Sequence, residues 1–224
     1  YRPNKLADVG ETVFLDLMGP LAVTPEGFRY VLVILEGFSR FAVLVPLRTK
    51  TAREVTSALM THFITKFGTF RRVKTDLGAE FNNNLFRQLM AELEILHDFN
   101  CPYNHQSNMA ERLIRSVYEM LRAKRVRGDP DWAKVLPSVG LAHNSAVHRA
   151  TGVAPARAFL GRDLILPLQL VAPPLPASAV KPSELFTQHN VDMNLLYDSM
   201  RQQQDLQIAR NARYYSQKEP RFKP

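Results

Sequence analysis

The chain has 224 residues, 46% of them hydrophobic, enough to bury one sizeable core. Lys and Arg outnumber Asp and Glu by 29 to 21, and the formal net charge of +8 favours a polyanionic partner, nucleic acid first among them. Cys101 is the single cysteine, which excludes an internal disulfide framework or a multi-cysteine zinc site within the chain. No apolar run approaches the ~20 residues that span a bilayer, so no membrane partner is expected.

The opening at Tyr1, not methionine, reads as a fragment or a processed product, and residues 1–11 read as an extended lead-in. Three strand-like runs follow, at residues 13–18, 28–35 and 40–47, rich in β-branched and aromatic side chains and separated by Gly, Pro and Ser. Their short spacers suit an antiparallel meander. Thr51 then caps a predicted helix reaching Phe67, with Val55, Leu59, Phe63 and Phe67 on one face and Gly68 as its stop. A short strand at 72–76, a helix at 83–95 and a strand at 96–101 come next. Helices from the Ser107-Asn108 cap to about Val126, and over about 130–147, complete the order. The pattern predicts an α/β fold, a five-stranded mixed sheet flanked by helices. Residues 12–170 form the expected core and 171–182 a proline-rich linker; 183–224 read as a helical extension ending in a basic tail.

Three acids fall where the pattern ends strands or begins a helix. Asp16 sits inside the apolar run Phe-Leu-Asp-Leu-Met, where an ionised carboxylate is costly without compensation. Asp76 closes the fourth strand, and Glu111 lies in the first turn of the following long helix. Each alone has an ordinary explanation: a strand-end acid, a turn residue, a first-turn acid favoured by the helix dipole. If the first and fourth strands are neighbours, the three can converge at one sheet edge. Hard cations such as Mg²⁺ or Mn²⁺ favour such oxygens, and a pair of ions about 4 Å apart can activate a nucleophile and stabilise a leaving oxygen.

On the same helix, Arg112, Arg115 and Arg122 belong to a basic run, and Glu111, Arg115 and Arg122 share one outward side; Ile114, Val117 and Leu121 can face the core. Phosphate contacts and a solvated face pairing with Glu119 are both open readings. Tyr103, Asn104, Gln106 and Asn108, before or at the start of the helix, and Lys74 on the fourth strand are further candidate DNA contacts.

The segments Leu-Asp16-Leu-Met-Gly-Pro20, Thr-Asp76-Leu-Gly-Ala-Glu-Phe81 and Pro102-Tyr-Asn-His-Gln-Ser-Asn-Met-Ala-Glu111-Arg112 resemble three signature blocks of retroviral and Gypsy-type LTR-retrotransposon integrases, in the same order. The two aspartates are separated by 59 residues, and Asp76 and Glu111 by 34, close to the spacing in the name of the D,D-35-E motif. A fourth block, with Ala142-His-Asn144, Thr151-Gly-Val-Ala-Pro155 and Phe159-Leu-Gly161-Arg162, resembles the Gypsy-type segment after the core. The resemblance covers residues 10–170. It implies an RNase H-like fold, Asp16, Asp76 and Glu111 as a catalytic and metal-binding triad, and two Mg²⁺ (or Mn²⁺) ions per active site. It also implies 3′-end processing and strand transfer on double-stranded DNA, both element ends and target. A homodimer or higher oligomer is expected, acting in the nucleus after passage through a cytoplasmic virus-like particle or preintegration complex.

Two departures from the family pattern stand out. Glu36, in Leu-Glu36-Gly-Phe-Ser-Arg40, replaces a common aspartate and is not expected to bind metal; the third block is shorter and lacks the usual glycine near the glutamate. The zinc-binding module usually found before the core is not in these residues. An integrase-derived scaffold without catalysis is the alternative reading.

Overall fold

The computed structural model describes residue 6 and residues 8–99, 109–125, 131–166 and 182–218. Two compact units result, one of Leu6–Asn144 and a second that takes in Ser145–Pro224.

In the first unit, β1 (Thr12–Met18), β2 (Tyr30–Glu36) and β3 (Ala42–Leu47) form the expected antiparallel meander. β4 (Arg72–Thr75) pairs parallel with the other side of β1, and β5 (Leu96–Phe99) parallel with β4, giving the order β3-β2-β1-β4-β5. β1 and β2 are largely apolar because both their faces are covered: Val13, Phe14, Leu15 and Val31 to Ile34 are all fully buried. β5 lies on the sheet edge, with Leu96 and Phe99 exposed.

The helix expected from Thr51 to Phe67 forms as α1 (Ala52–Leu59), a π-helical segment (Met60–Ile64) and α2 (Thr65–Phe67). The wider π turn delays the phase of the fourfold repeat. Val55, Leu59 and Phe63 stay buried, but Phe67 emerges 37% exposed, resting edge-on against Phe41 and Phe63 at centroid distances of 5.6 and 5.3 Å. Asn83 caps α3 (Asn84–Glu92), its side-chain oxygen accepting from Phe86 N at 2.9 Å. On α4 (Met109–Arg125) the buried stripe is Ala110, Leu113, Val117 and Leu121. Leu113 thus takes the core position expected for Ile114, which is half-buried.

Glu36 has a structural task. It is fully buried at the end of β2, opposite Val13. Its Oε1 accepts from Gly10 N and Phe38 N at 3.3 and 3.2 Å, and its Oε2 from Ser39 N at 2.7 Å and from the Ser39 hydroxyl. The carboxylate therefore holds the β2–β3 turn and ties it to the lead-in to β1. Burial raises its pKa against the pull of these hydrogen bonds. Gly37 beside it cannot carry a side chain, because a Cβ would stand 2.5 Å from Leu6 and 2.8 Å from Phe14.

α5 (Trp132–Ser145) docks on the same region. Asn144 brackets the Ala42 backbone, accepting from its N–H at 2.9 Å and donating to its carbonyl at 2.8 Å, and His143 Nε2 meets the Arg40 carbonyl at 2.9 Å. Trp132 Nε1 donates to Ala22 O at 2.7 Å. In the second unit, Thr151 closes a turn on the carbonyls of His148 and Val153, Pro155 opens α6 (Pro155–Leu160), and Gly161 ends it in the left-handed conformation. The long helix α7 (Pro182–Lys218) follows, with Tyr197 donating to Ala158 O at 3.1 Å. No helix among the described residues is long and apolar enough to cross a membrane.

Candidate active site

The parallel pairing of β1 with β4 sets Val13 beside Val73 and Phe14 beside Lys74. Continuing that register by two residues brings Asp16 level with Asp76. In-register neighbours on adjacent strands share a face and stand about 4.8 Å apart along the sheet. The two aspartates, distant in sequence, thus fall level with each other toward the carboxyl ends of two adjacent parallel strands, where open α/β sheets place their chemistry. Asp16 is half-buried and its Oδ1 accepts from Leu17 N at 2.8 Å, while Asp76 is exposed just past the end of β4.

The loop after β4 shapes this edge. Asp76 Oδ1 accepts from Gly78 N at 3.1 Å, closing an Asx-type turn. A Cβ on Gly78 would lie 2.8 Å from Glu80 Oε1 and 3.0 Å from Asp76 Oδ1, so both carboxylates flank this one glycine. Glu80 is mostly buried and lies 4.0 Å from the Lys50 ammonium. Behind Asp76, the buried Thr75 hydroxyl donates to the Asp76 carbonyl at 2.8 Å and lies 2.9 Å from His97 Nε2 on β5. Reading the sequence for acids at strand ends missed Glu80 and His97. The signal available for Glu80 was its place two residues after the glycine that Asp76 caps.

Glu111 occupies the first turn of α4, as expected, and its Oε1 accepts from Arg115 Nη2 at 2.8 Å, with the side chains 30% and 72% exposed. α4 packs on β1 and β2. Its first turn meets the β2–β3 turn, where the Arg40 guanidinium contacts Met109 Sδ. Burial first, then the Arg112 charge, brings Arg40 down to about 10 against an upward pull from Glu36. That turn sits at the Thr12 end of β1, since Gly37 N donates to Thr12 O at 2.8 Å. Asp16 lies further along the strand. The structure brings Asp16 and Asp76 to one edge and leaves Glu111 paired on its own helix. Among the described residues, no group of three His, Cys, Asp or Glu side chains could hold a metal ion. The two aspartates suit a hard cation by donor type and register, whereas Glu111 must leave Arg115 to join them.

Arg112, Arg115 and Arg122 are exposed along α4. Lys74, one strand position from Thr75, lies 5.9 Å from the centroid of the Phe14 ring. Tyr103, Asn104, Gln106 and Asn108 lie outside the described residues.

Comparison with known proteins agrees with this layout. The Integrase core domain family matches residues 8–105. The retrovirus-related Pol polyprotein of transposon 412 from Drosophila melanogaster is 26% identical over 158 residues, 70% of this chain and 13% of that protein. The Pro-Pol polyprotein of simian foamy virus type 3 (strain LK3) is 26% identical over 163 residues, 72% of this chain and 14% of its own length. The chain thus spans about a seventh of these relatives. Among solved structures, the HTLV-2 integrase catalytic core domain in complex with magnesium, in its trimeric form, aligns with a TM-score of 0.56 at 15% identity, covering 67% of this chain and 96% of that one. An intasome of simian T-cell lymphotropic virus in complex with the PP2A regulatory subunit B56 gamma aligns at 0.61 and 17% identity, covering 80% and 63%. At such identities the likeness is one of fold, the RNase H-like fold of integrase cores. Together the sheet order, the aspartate register and the match over residues 8–105 make this chain similar to the integrase core domains of retroviruses and retrovirus-related transposons.

Proposed function

We propose that this chain is the catalytic core of a retroelement integrase, which trims the 3′ ends of linear element DNA and joins them to target DNA. The alignment of Asp16 with Asp76 at the edge of β1 and β4 carries the reading. Both reactions are in-line displacements at phosphorus. In trimming, a water oxygen bonds to phosphorus and the 3′ oxygen leaves as a hydroxyl; in joining, that 3′-hydroxyl attacks and a target 3′ oxygen leaves. A bound pair of Mg²⁺ or Mn²⁺ ions would supply nucleophile activation and leaving-group stabilisation.

The chain's own residues would do the rest. Asp16 and Asp76 supply a carboxylate edge, with Asp76 oriented by Gly78 N and by Thr75. Glu111 completes the set by turning away from Arg115. That release is inexpensive: an exposed i,i+4 ion pair is worth about 0.3–0.5 kcal/mol, far less than a carboxylate gains from a divalent cation. Arg112, Arg115, Arg122 and Lys74 would neutralise backbone phosphates, with Tyr103, Asn104, Gln106 and Asn108 at the DNA end. Action as a homodimer or larger assembly, in the nucleus, belongs to the same proposal.

The engagement of Glu111 by Arg115 favours one second reading, an integrase-derived binding module without turnover. A branched, labelled oligonucleotide mimicking the joined product separates the two. With Mg²⁺ or Mn²⁺, the integrase reading expects resolution into its component strands, and loss of that activity in Asp76→Asn. Tight DNA binding with no metal-dependent turnover favours the binding module.

A further inference from the structure

Asp76 is held on two sides. Gly78 N fixes its carboxylate, and the Thr75 hydroxyl fixes its carbonyl. A hydroxyl has a single proton. Because Thr75 spends it on the Asp76 carbonyl, it can meet His97 Nε2, 2.9 Å away, only as an acceptor. The imidazole must then carry its proton on Nε2. We infer that His97 is a positioning residue for Asp76: as the Nε2–H tautomer it orients the buried Thr75 hydroxyl, which in turn holds the backbone of the aspartate.

The surroundings leave the ring little freedom. β5 pairs His97 beside Val73, one strand across from the Asp76 end. The imidazole packs against Phe86 at a centroid distance of 5.0 Å and against Phe99 at 4.5 Å. Thr75 is fully buried, so no bulk solvent competes for its hydroxyl. Burial, the largest influence, lowers the His97 pKa; Asp98 opposes it and Arg87 adds to it. A neutral ring with one donor nitrogen fits this site. Groups that orient a metal-binding side chain from behind tune its affinity as surely as the ligands themselves.

The inference rests on Asp76 as a cation ligand, as proposed above. Two readouts test it without turnover. Long-range ¹H–¹⁵N spectra at pH 7.5 are expected to show His97 as the Nε2–H tautomer; an Nδ1–H tautomer overturns the inference. Calorimetric titration with Mn²⁺ alone is the second. Thr75→Val and His97→Phe are expected to weaken binding about tenfold, the low end for outer-shell partners. Thr75→Ser, which keeps the hydroxyl, and His97→Gln, which can keep a donor, should stay within about twofold. Melting curves identify a variant that has simply lost its fold, and in that event the conservative pair and the tautomer decide. Equal Mn²⁺ affinity in wild type, Thr75→Val and His97→Phe overturns the positioning role. A wild-type chain that takes up no Mn²⁺ fails the functional reading itself, a distinct result.

Discussion

Replacing Glu36 by glutamine tests how much the β2–β3 turn depends on a carboxylate. The glutamine keeps one carbonyl oxygen and gains an NH₂. Its better flip leaves the oxygen facing Ser39 N, at 2.7 Å, and the Ser39 hydroxyl. The NH₂ then confronts Phe38 N and Gly10 N, donors now at 3.2 and 3.3 Å from Oε1. A buried donor left without an acceptor costs about 1–3 kcal/mol, and these two long bonds belong at the low end, so the loss is about 2–3 kcal/mol. Removing a buried charge returns some of this, since burial is what raises the Glu36 pKa. A net loss of about 2 kcal/mol remains, or about 4–8 °C in Tm for a chain of this size. Thermal unfolding of Glu36→Gln by calorimetry, with a urea midpoint as a second measure, reads it. An unchanged or higher Tm would refute the claim that hydrogen bonds to the Glu36 side chain hold the β2–β3 turn.

Asn144→Ala leaves the Ala42 N–H and carbonyl without their partner and should cost about 2–3 kcal/mol in urea unfolding, whereas a neutral result would deny that α5 is clamped to β3. Arg115→Gln should change the Mn²⁺ concentration for half-maximal activity by no more than about twofold, because the pair it breaks is exposed. If Arg115 grips a phosphate, the same variant should lower the slope of log affinity for DNA against log salt by about one. Burial lowers the pKa values of His62, His97 and His143, so the unfolded chain takes up protons first and stability should fall as pH drops below 6.5. Glu36, with its pKa raised, acts with the opposite sign: its contribution is full below 4.5 and is lost as pH rises through its folded value. Glu36→Gln should therefore steepen the decline on acidification, as unfolding midpoints between pH 7.5 and 5 will show.

Much of the sheet was legible because β1 to β3 are apolar runs bounded by Gly, Pro and Ser, and because Thr51 and Asn83 cap as their chemistry dictates. The helix containing Phe67 was read in phase from periodicity alone, which a π turn silently resets. Leu113 and Ile114 are equally apolar neighbours, and only the face that α4 turns to β1 and β2 chooses between them. The two aspartates were legible as strand-end acids, but their alignment is a property of strand pairing across 59 intervening residues. The fourth block shows another limit. Asn144, Thr151 and Gly161 proved to be a clamp on β3, a turn closure and a helix cap, roles that spacing alone does not distinguish from chemistry. His97 was lost among six histidines because its significance lies in one neighbour, Thr75, on the adjacent strand.

The most direct measurement is anomalous diffraction from crystals of the chain soaked in Mn²⁺, with element-end DNA bound. The account predicts manganese density between the carboxylates of Asp16 and Asp76, with Glu111 turned toward it and away from Arg115. Manganese bound elsewhere, with those two carboxylates bare in a complex that still cuts and joins DNA, would contradict it.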